Sequence, residues 1–143
     1  MIDLLETALR EAEKDLKGSM ICILGLSFIE NSDDLRNAPT LSLLRELEKK
    51  GAVYRVHDPY IREGEEYKIE QDLDTALKGC DAVVLMTKHD EYRLINSNML
   101  KDLLKSKVIV DGRNMFDYKE FIADGFIFKG VGKGNVNKQR AES

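Results

Sequence analysis

An open parallel β-sheet covered by helices on both faces is the fold the sequence predicts: a three-layer, Rossmann-like α/β architecture preceded by an N-terminal amphipathic helix. Three observations carry this reading. Short continuous apolar runs such as Met20 to Leu24 and Ala82 to Met86 have the character of strands buried on both faces. Segments with apolar residues at helical spacing lie between them. The two kinds alternate to the end of the chain, and a right-handed crossover helix is the usual way to join parallel neighbours. With 143 residues there is material for about one domain.

The elements follow in order. Ile2, Leu5, Leu9, Ala12 and Leu16 recur at spacings of three and four, with Glu6, Arg10, Glu13 and Lys17 opposite, which predicts a helix running to Gly18. It opens inside its pattern with no N-cap before it, as the end of a longer helix would. Met20 to Leu24 is the first strand, followed by the polar loop Glu30 to Asn37. Pro39 suits the first turn of the next helix, which carries Leu41, Leu44 and Leu47 inward and stops at Gly51. Val53 to Val56 forms a strand ending in the turn His57-Asp58-Pro59, and Arg62 to Lys68 is a charged connection. A short helix over Leu73 to Lys78 leads to the strand Ala82 to Met86, with Thr87 to Tyr92 just past its end. A helix through Met99, Leu100, Leu103 and Leu104 precedes the strand Val108 to Val110, and a helix over Tyr118 to Ala123 precedes Phe126 to Phe128. Residues 135–143 read as a flexible tail.

Composition narrows the functions open to such a domain. The chain is 43% apolar and 34% charged, as a folded globular domain is, and its net charge of -4 gives no basic footprint for nucleic acid or an anionic membrane. No apolar run approaches the roughly 18 residues of a membrane span, and the acidic N-terminus is unlike a signal peptide, so a cytoplasmic location is expected. Cys22 and Cys80 stand apart, without CxxC spacing or clustered histidines, which points away from zinc and a disulfide framework. Cys22 reads as a small buried hydrophobe, and Cys80 as a turn residue with no basic neighbour to lower its pKa.

Ligands of open α/β sheets bind outside the carboxyl ends of the strands, which here are Leu26 to Asn37, His57 to Tyr60, Thr87 to Tyr92 and Asp111 to Asn114. Gly25-Leu26-Ser27-Phe28 lacks the second and third glycines of a dinucleotide fingerprint, so NAD is not expected at this turn. No Walker-type sequence occurs, and the Gly130 to Asn135 run has no helix after it to aim at phosphate. His57 and His89 have no metal-like partner at helical spacing, and Asp58-Pro59 reads as a turn.

The segment from Gly25 to Pro39, with Phe28-Ile29 and Asp33-Asp34-Leu35-Arg36, resembles the signature that opens the C-terminal domain of UDP-glucose, GDP-mannose and UDP-N-acetylmannosamine dehydrogenases. Three further blocks follow in the family's order: Tyr54 to Tyr60, Asp81 to Thr87 with Glu91-Tyr92, and Asp111-Gly112-Arg113-Asn114. The resemblance covers residues 18–134. It implies a UDP-sugar-binding domain of an NAD-dependent UDP-sugar 6-dehydrogenase, in which the sugar C6 alcohol becomes a carboxylate through a thiohemiacetal on a cysteine of a central domain. Residues 1–17 would then be the end of the linker helix from that central domain. NAD would be bound mainly by an N-terminal domain, and the chain alone would be inactive. A stripe left bare on the linker helix would either pair with another copy as a homo-oligomer or fray.

The resemblance also assigns residues. Arg113 resembles the family arginine that contacts the bound nucleotide sugar, and its donor fork suits two phosphate oxygens at once; pairing with Asp111 or a nearby acid is the structural alternative. Phe28 matches a substrate-site aromatic that could equally be core. Ile29 stands where the family carries a lysine, which removes a charge-assisted contact from the substrate site. Arg36 resembles the arginine that reaches toward NAD, against a local role with Asp33 and Asp34. No residue here is expected to be catalytic or to bind metal. The Asp-Asp-Leu-Arg wording and the glycine-rich ending lean toward the UDP-N-acetylmannosamine branch. A stand-alone, non-enzymatic nucleotide-sugar-binding module is the other function the sequence allows.

Overall fold

The computed structural model describes residues 1–27, 39–61 and 69–131. Five parallel strands, β1 (Met20–Leu24), β2 (Val53–His57), β3 (Ala82–Leu85), β4 (Val108–Asp111) and β5 (Ile127–Gly130), form one sheet in the order β2-β1-β3-β4-β5. Around it lie α1 (Ile2–Glu11), α2 (Pro39–Lys49), α3 (Leu73–Leu77), α4 (Ser97–Leu103) and α5 (Tyr118–Ala123), with a 3-10 turn over Asp90–Leu94. The expected sheet and its covering helices are therefore present.

Alternation within each strand splits the core into two apolar layers. Ile21, Ile23, Val84 and Val110 pack with α1 and α2, whereas Cys22, Leu24, Val83, Leu85 and Ile109 pack with α3, α4 and α5. The central strands are buried on both faces, which is why their sequences are continuous apolar runs. Helix caps set several boundaries. The Asp72, Asn96 and Asp117 carboxylate or amide oxygens accept the N–H groups of Thr75, Met99 and Lys119 at the starts of α3, α4 and α5.

The first helix departs from expectation in two ways. It stops at Glu11 instead of continuing to Gly18, because Glu13 takes a left-handed φ of 59° and the chain closes a Schellman turn: Glu13 N–H donates to the Arg10 carbonyl (2.9 Å) and Lys14 N–H to the Leu9 carbonyl (2.8 Å). Its apolar stripe is also not left bare for a second copy. Leu5, Ala8 and Leu9 are fully buried against β4, β5 and α2. Lys129, 4% exposed on β5, ties the end of the helix to the sheet through Glu11 at 2.5 Å. Burying that stripe on its own sheet removes apolar area from water without a partner.

Smaller shifts follow the same logic. In α2 it is Leu43, with Leu44 and Leu47, that is buried, while Leu41 is only partly covered. The last strand begins one residue later than the apolar triplet suggests and ends two later, including Lys129 and Gly130, since β4 pairs with it through Asp111↔Gly130. The first part of Thr87 to Tyr92 is loop, and the rest is the 3-10 turn that buries Tyr92.

Candidate functional site at the carboxyl edge

The chain passes from β1 outward to β2 and then crosses back to β3 on the other side of β1, so the strand order reverses between β1 and β3. A crevice opens at such a switch point outside the carboxyl ends, and ligands of open α/β sheets bind there. The loops that meet at this edge are built by buried polar side chains.

At the end of β1, Gly25 adopts φ 100° and lies so close to Thr87 that an added Cβ would fall 2.6 Å from the Thr87 backbone nitrogen and nearer still to its side chain. This glycine is required for the crossing of the β1 and β3 exits. Thr87 Oγ1 donates to the Ser27 carbonyl (2.7 Å) and Thr40 Oγ1 to the Gly25 carbonyl (3.0 Å), which fastens the turn to β3 and to the start of α2. The space over Gly25 is taken by Thr87, so no side chain can stand at this position.

Asp58, fully buried just past β2, organises the same turn from the other side. Its Oδ2 accepts the N–H groups of Leu26 (2.8 Å) and Ser27 (3.1 Å) and lies 3.0 Å from His89 Nε2, while Oδ1 accepts the Tyr60 N–H (2.8 Å). Burial pushes the Asp58 carboxyl up, but the hydrogen bonds from His89, Tyr60, Ser27 and Leu26 outweigh it and hold the group below the ordinary carboxylate value. His89, also fully buried, places the same Nε2 3.2 Å from Ser27 Oγ. His57 Nδ1 lies 2.9 Å from the Tyr92 hydroxyl, which donates to the His57 carbonyl at 2.9 Å. Burial lowers the His57 imidazole below its ordinary value and pushes the Tyr92 phenol well above its own. Asp58, His89 and Ser27 thus share one buried network, with the Tyr92 ring packed against both His57 and His89, and the sequence did not disclose it.

The loop after β4 is built by a second acid. Asp111, fully buried, accepts the Arg113 N–H on Oδ1 (2.9 Å) and the Met115 and Phe116 N–H groups on Oδ2 (both 2.8 Å). Asn114 takes φ 57°, and the Gly112 N–H donates to the Leu85 carbonyl (2.9 Å) so closely that a Cβ there would meet that oxygen at 2.7 Å. Asp111 therefore binds the backbone of Arg113. The half-buried Arg113 is held at the carboxyl edge on a tightly determined loop.

Of the other site residues expected from sequence, Phe28, Ile29 and Arg36 lie outside the described residues. Both cysteines are placed away from this edge. Cys22 is buried in β1 as a small hydrophobe, and burial pushes its thiol well up. The reading of Cys80 needs a correction: it does have a basic neighbour, since Arg55 Nη1 lies 4.0 Å from its sulfur. Arg55 comes from β2, 25 residues away in sequence, and reaches the turn to donate to the Thr75 and Lys78 carbonyls. The Cys80 thiol is lowered chiefly by its hydrogen bond with Cys22, with Arg55 adding to it, yet the group is fully buried.

The fold and its edge define a class: an α/β domain with an open parallel sheet, whose carboxyl edge carries Arg113 on a loop held by a buried aspartate and no complete glycine fingerprint after β1. Residues 22–118 match the UDP-glucose/GDP-mannose dehydrogenase family, UDP binding domain, and the chain belongs to that family. It is 32% identical over 133 residues to the UDP-N-acetyl-D-mannosamine dehydrogenase of Pyrococcus horikoshii, covering 93% of this chain and 30% of that protein. Against a UDP-glucose 6-dehydrogenase of Bacillus subtilis it is 36% identical over 127 residues, 85% of this chain and 28% of the other. The crystal structure of an NDP-N-acetyl-D-galactosaminuronic acid dehydrogenase from Methanosarcina mazei superposes with a TM-score of 0.91 at 33% identity, over 96% of this chain and 29% of that one. The chain thus spans about 30% of the length of the relatives it matches.

Proposed function

We propose that this chain supplies the nucleotide-sugar-binding part of an NAD-dependent UDP-sugar 6-dehydrogenase of the UDP-N-acetylmannosamine or UDP-glucose type, an oxidoreductase that converts the C6 alcohol to a uronic acid. The observation that carries the reading is the family match over residues 22–118, a span that includes every carboxyl-edge loop described above. Relatives named as dehydrogenases of both substrate types favour this over a stand-alone binding module. Arg113 contacts the diphosphate, where a guanidinium can engage two oxygens in fixed geometry. Phe28 and Ile29 are assigned to substrate binding, Ile29 without the cation of the family lysine, and Arg36 to the cofactor, on the family resemblance. NAD supplies hydride acceptance, held mainly by an N-terminal domain beyond this chain; a central domain carries the nucleophile and continues into residues 1–17. Residues 18–134 form the binding domain and 135–143 a tail. The setting is cytoplasmic synthesis of polysaccharide precursors.

Titration of the chain with UDP, a UDP-sugar and NAD in turn, followed by backbone amide shifts, tests this. UDP is expected to move the amides of residues 25–27 and 112–116, and Arg113→Ala to weaken UDP binding about tenfold or more, as loss of a charge-assisted contact does. Tight NAD binding with UDP silent would overturn it. Alone, the chain is expected to form no NADH from a UDP-sugar.

A further inference from the structure

Asp111 is a member of β4, with its Cα paired to Leu85 of β3 on one side and Gly130 of β5 on the other. Its carboxylate leaves the rigid sheet and gathers three main-chain N–H groups of the next five residues, the first being that of Arg113 itself. The loop has little freedom left. Asn114 is held at positive φ, Gly112 sits against the Leu85 carbonyl, and the Val131 N–H donates to the Asp111 carbonyl (3.3 Å). A buried carboxylate whose charge is met by N–H dipoles is costly to displace, so the loop inherits the sheet's rigidity.

We propose that Asp111 is a positioning residue for nucleotide binding: it fixes the backbone at Arg113 so that the guanidinium is presented in its binding geometry before the ligand arrives. This rests on the reading of Arg113 as the diphosphate contact. Pre-organisation of this kind raises affinity by removing ordering costs, and it acts only through the residue it orders.

The distinguishing experiment is a double-mutant cycle on UDP affinity by calorimetry, with wild type, Asp111→Asn, Arg113→Ala and the double variant. Asn keeps the shape of Asp111 but replaces one acceptor with a donor that faces main-chain N–H groups. The expected result is an about tenfold loss for D111N in the presence of Arg113 and less than about twofold in its absence, a coupling typical of residues that act as one unit. A merely structural acid would weaken binding by the same factor in both backgrounds, and that result overturns the proposal. If D111N does not fold, Asn114→Val takes its place in the cycle, since a β-branched residue disfavours positive φ and shifts Arg113 with the sheet intact, with the same two outcomes. Wild type that ignores UDP, or R113A that binds UDP like wild type, overturns the reading of Arg113 and this proposal with it. Loss in R113A with no coupling to Asp111 overturns the proposal alone.

Discussion

The loops after β2 and β4 are built on the same device used at two ranges. A buried aspartate, the last residue of β4 and the first past β2, is followed by a turn-forming residue, Asp111-Gly112 and Asp58-Pro59, and each aspartate accepts the N–H two residues on, from Arg113 and Tyr60. Such a turn is local. The second oxygen separates the two cases. Asp111 spends it on Met115 and Phe116 of its own loop, whereas Asp58 reaches the Leu26 and Ser27 N–H groups, 32 and 31 residues away, and His89, 31 residues away on the other side. Asp111 shapes one loop, and Asp58 holds three together.

That difference is open to measurement. The largest effect is expected from Asp58→Ala, which leaves the buried Leu26 and Ser27 N–H groups, the partly buried Tyr60 N–H and His89 without their acceptor. Loss of about 4 kcal/mol follows from breaking a buried, hydrogen-bonded pair, read as a lower urea midpoint. A cost near that of a surface acid would sink the idea that Asp58 is the tie. Gly25→Ala comes next, at about 3 kcal/mol, since it combines a positive φ with a clash on Thr87. Unfolding by urea would check it, and the paired Thr87→Ser change should recover little, because the Thr87 backbone nitrogen is part of the clash.

Asp111→Asn should cost less, about 2 kcal/mol, because Asn still accepts on one oxygen and the affected donors belong to one loop. Finding D111N as damaging as D58A would erase the distinction between local and long-range ties. The smallest effect is the pH response. Burial holds the folded-state His57 imidazole below its ordinary 6.5, so on acidification the unfolded chain takes up the proton first. Stability from this group is complete above pH 6.5 and declines as pH falls toward the lowered folded value. Asp58, held below 3.8, adds a second decline that begins as pH drops through 3.8. Urea midpoints measured from pH 8 to 3 should fall in that order, and His57→Gln should remove only the first step.

Much of the fold was legible because its signals are local. Apolar runs identify strands buried on both faces, and helical spacing identifies their covers. The Asp111 loop is nearly legible for the same reason, an aspartate serving residues two to five positions later. Where periodicity misled, tertiary contact was responsible. The apolar pattern of the first segment continues through Leu16, yet the helix stops at Glu11, and Leu16 is buried from outside the helix.

By itself the sequence determined the α/β class, the order of the elements, and the family through four ordered blocks. It also determined that the β1 turn lacks the glycines of a dinucleotide site. Only the tertiary structure decided that Gly25 is there to let Thr87 pass, that Asp58, His89 and Ser27 form one network, that Arg55 lies beside Cys80, and that α1 buries its stripe on its own sheet. The physical reason is separation along the chain. Hydrogen-bonding side chains within a few residues of their partners leave a pattern that can be read, whereas groups about 30 residues apart meet only once parallel pairing has set the register of β2, β1 and β3.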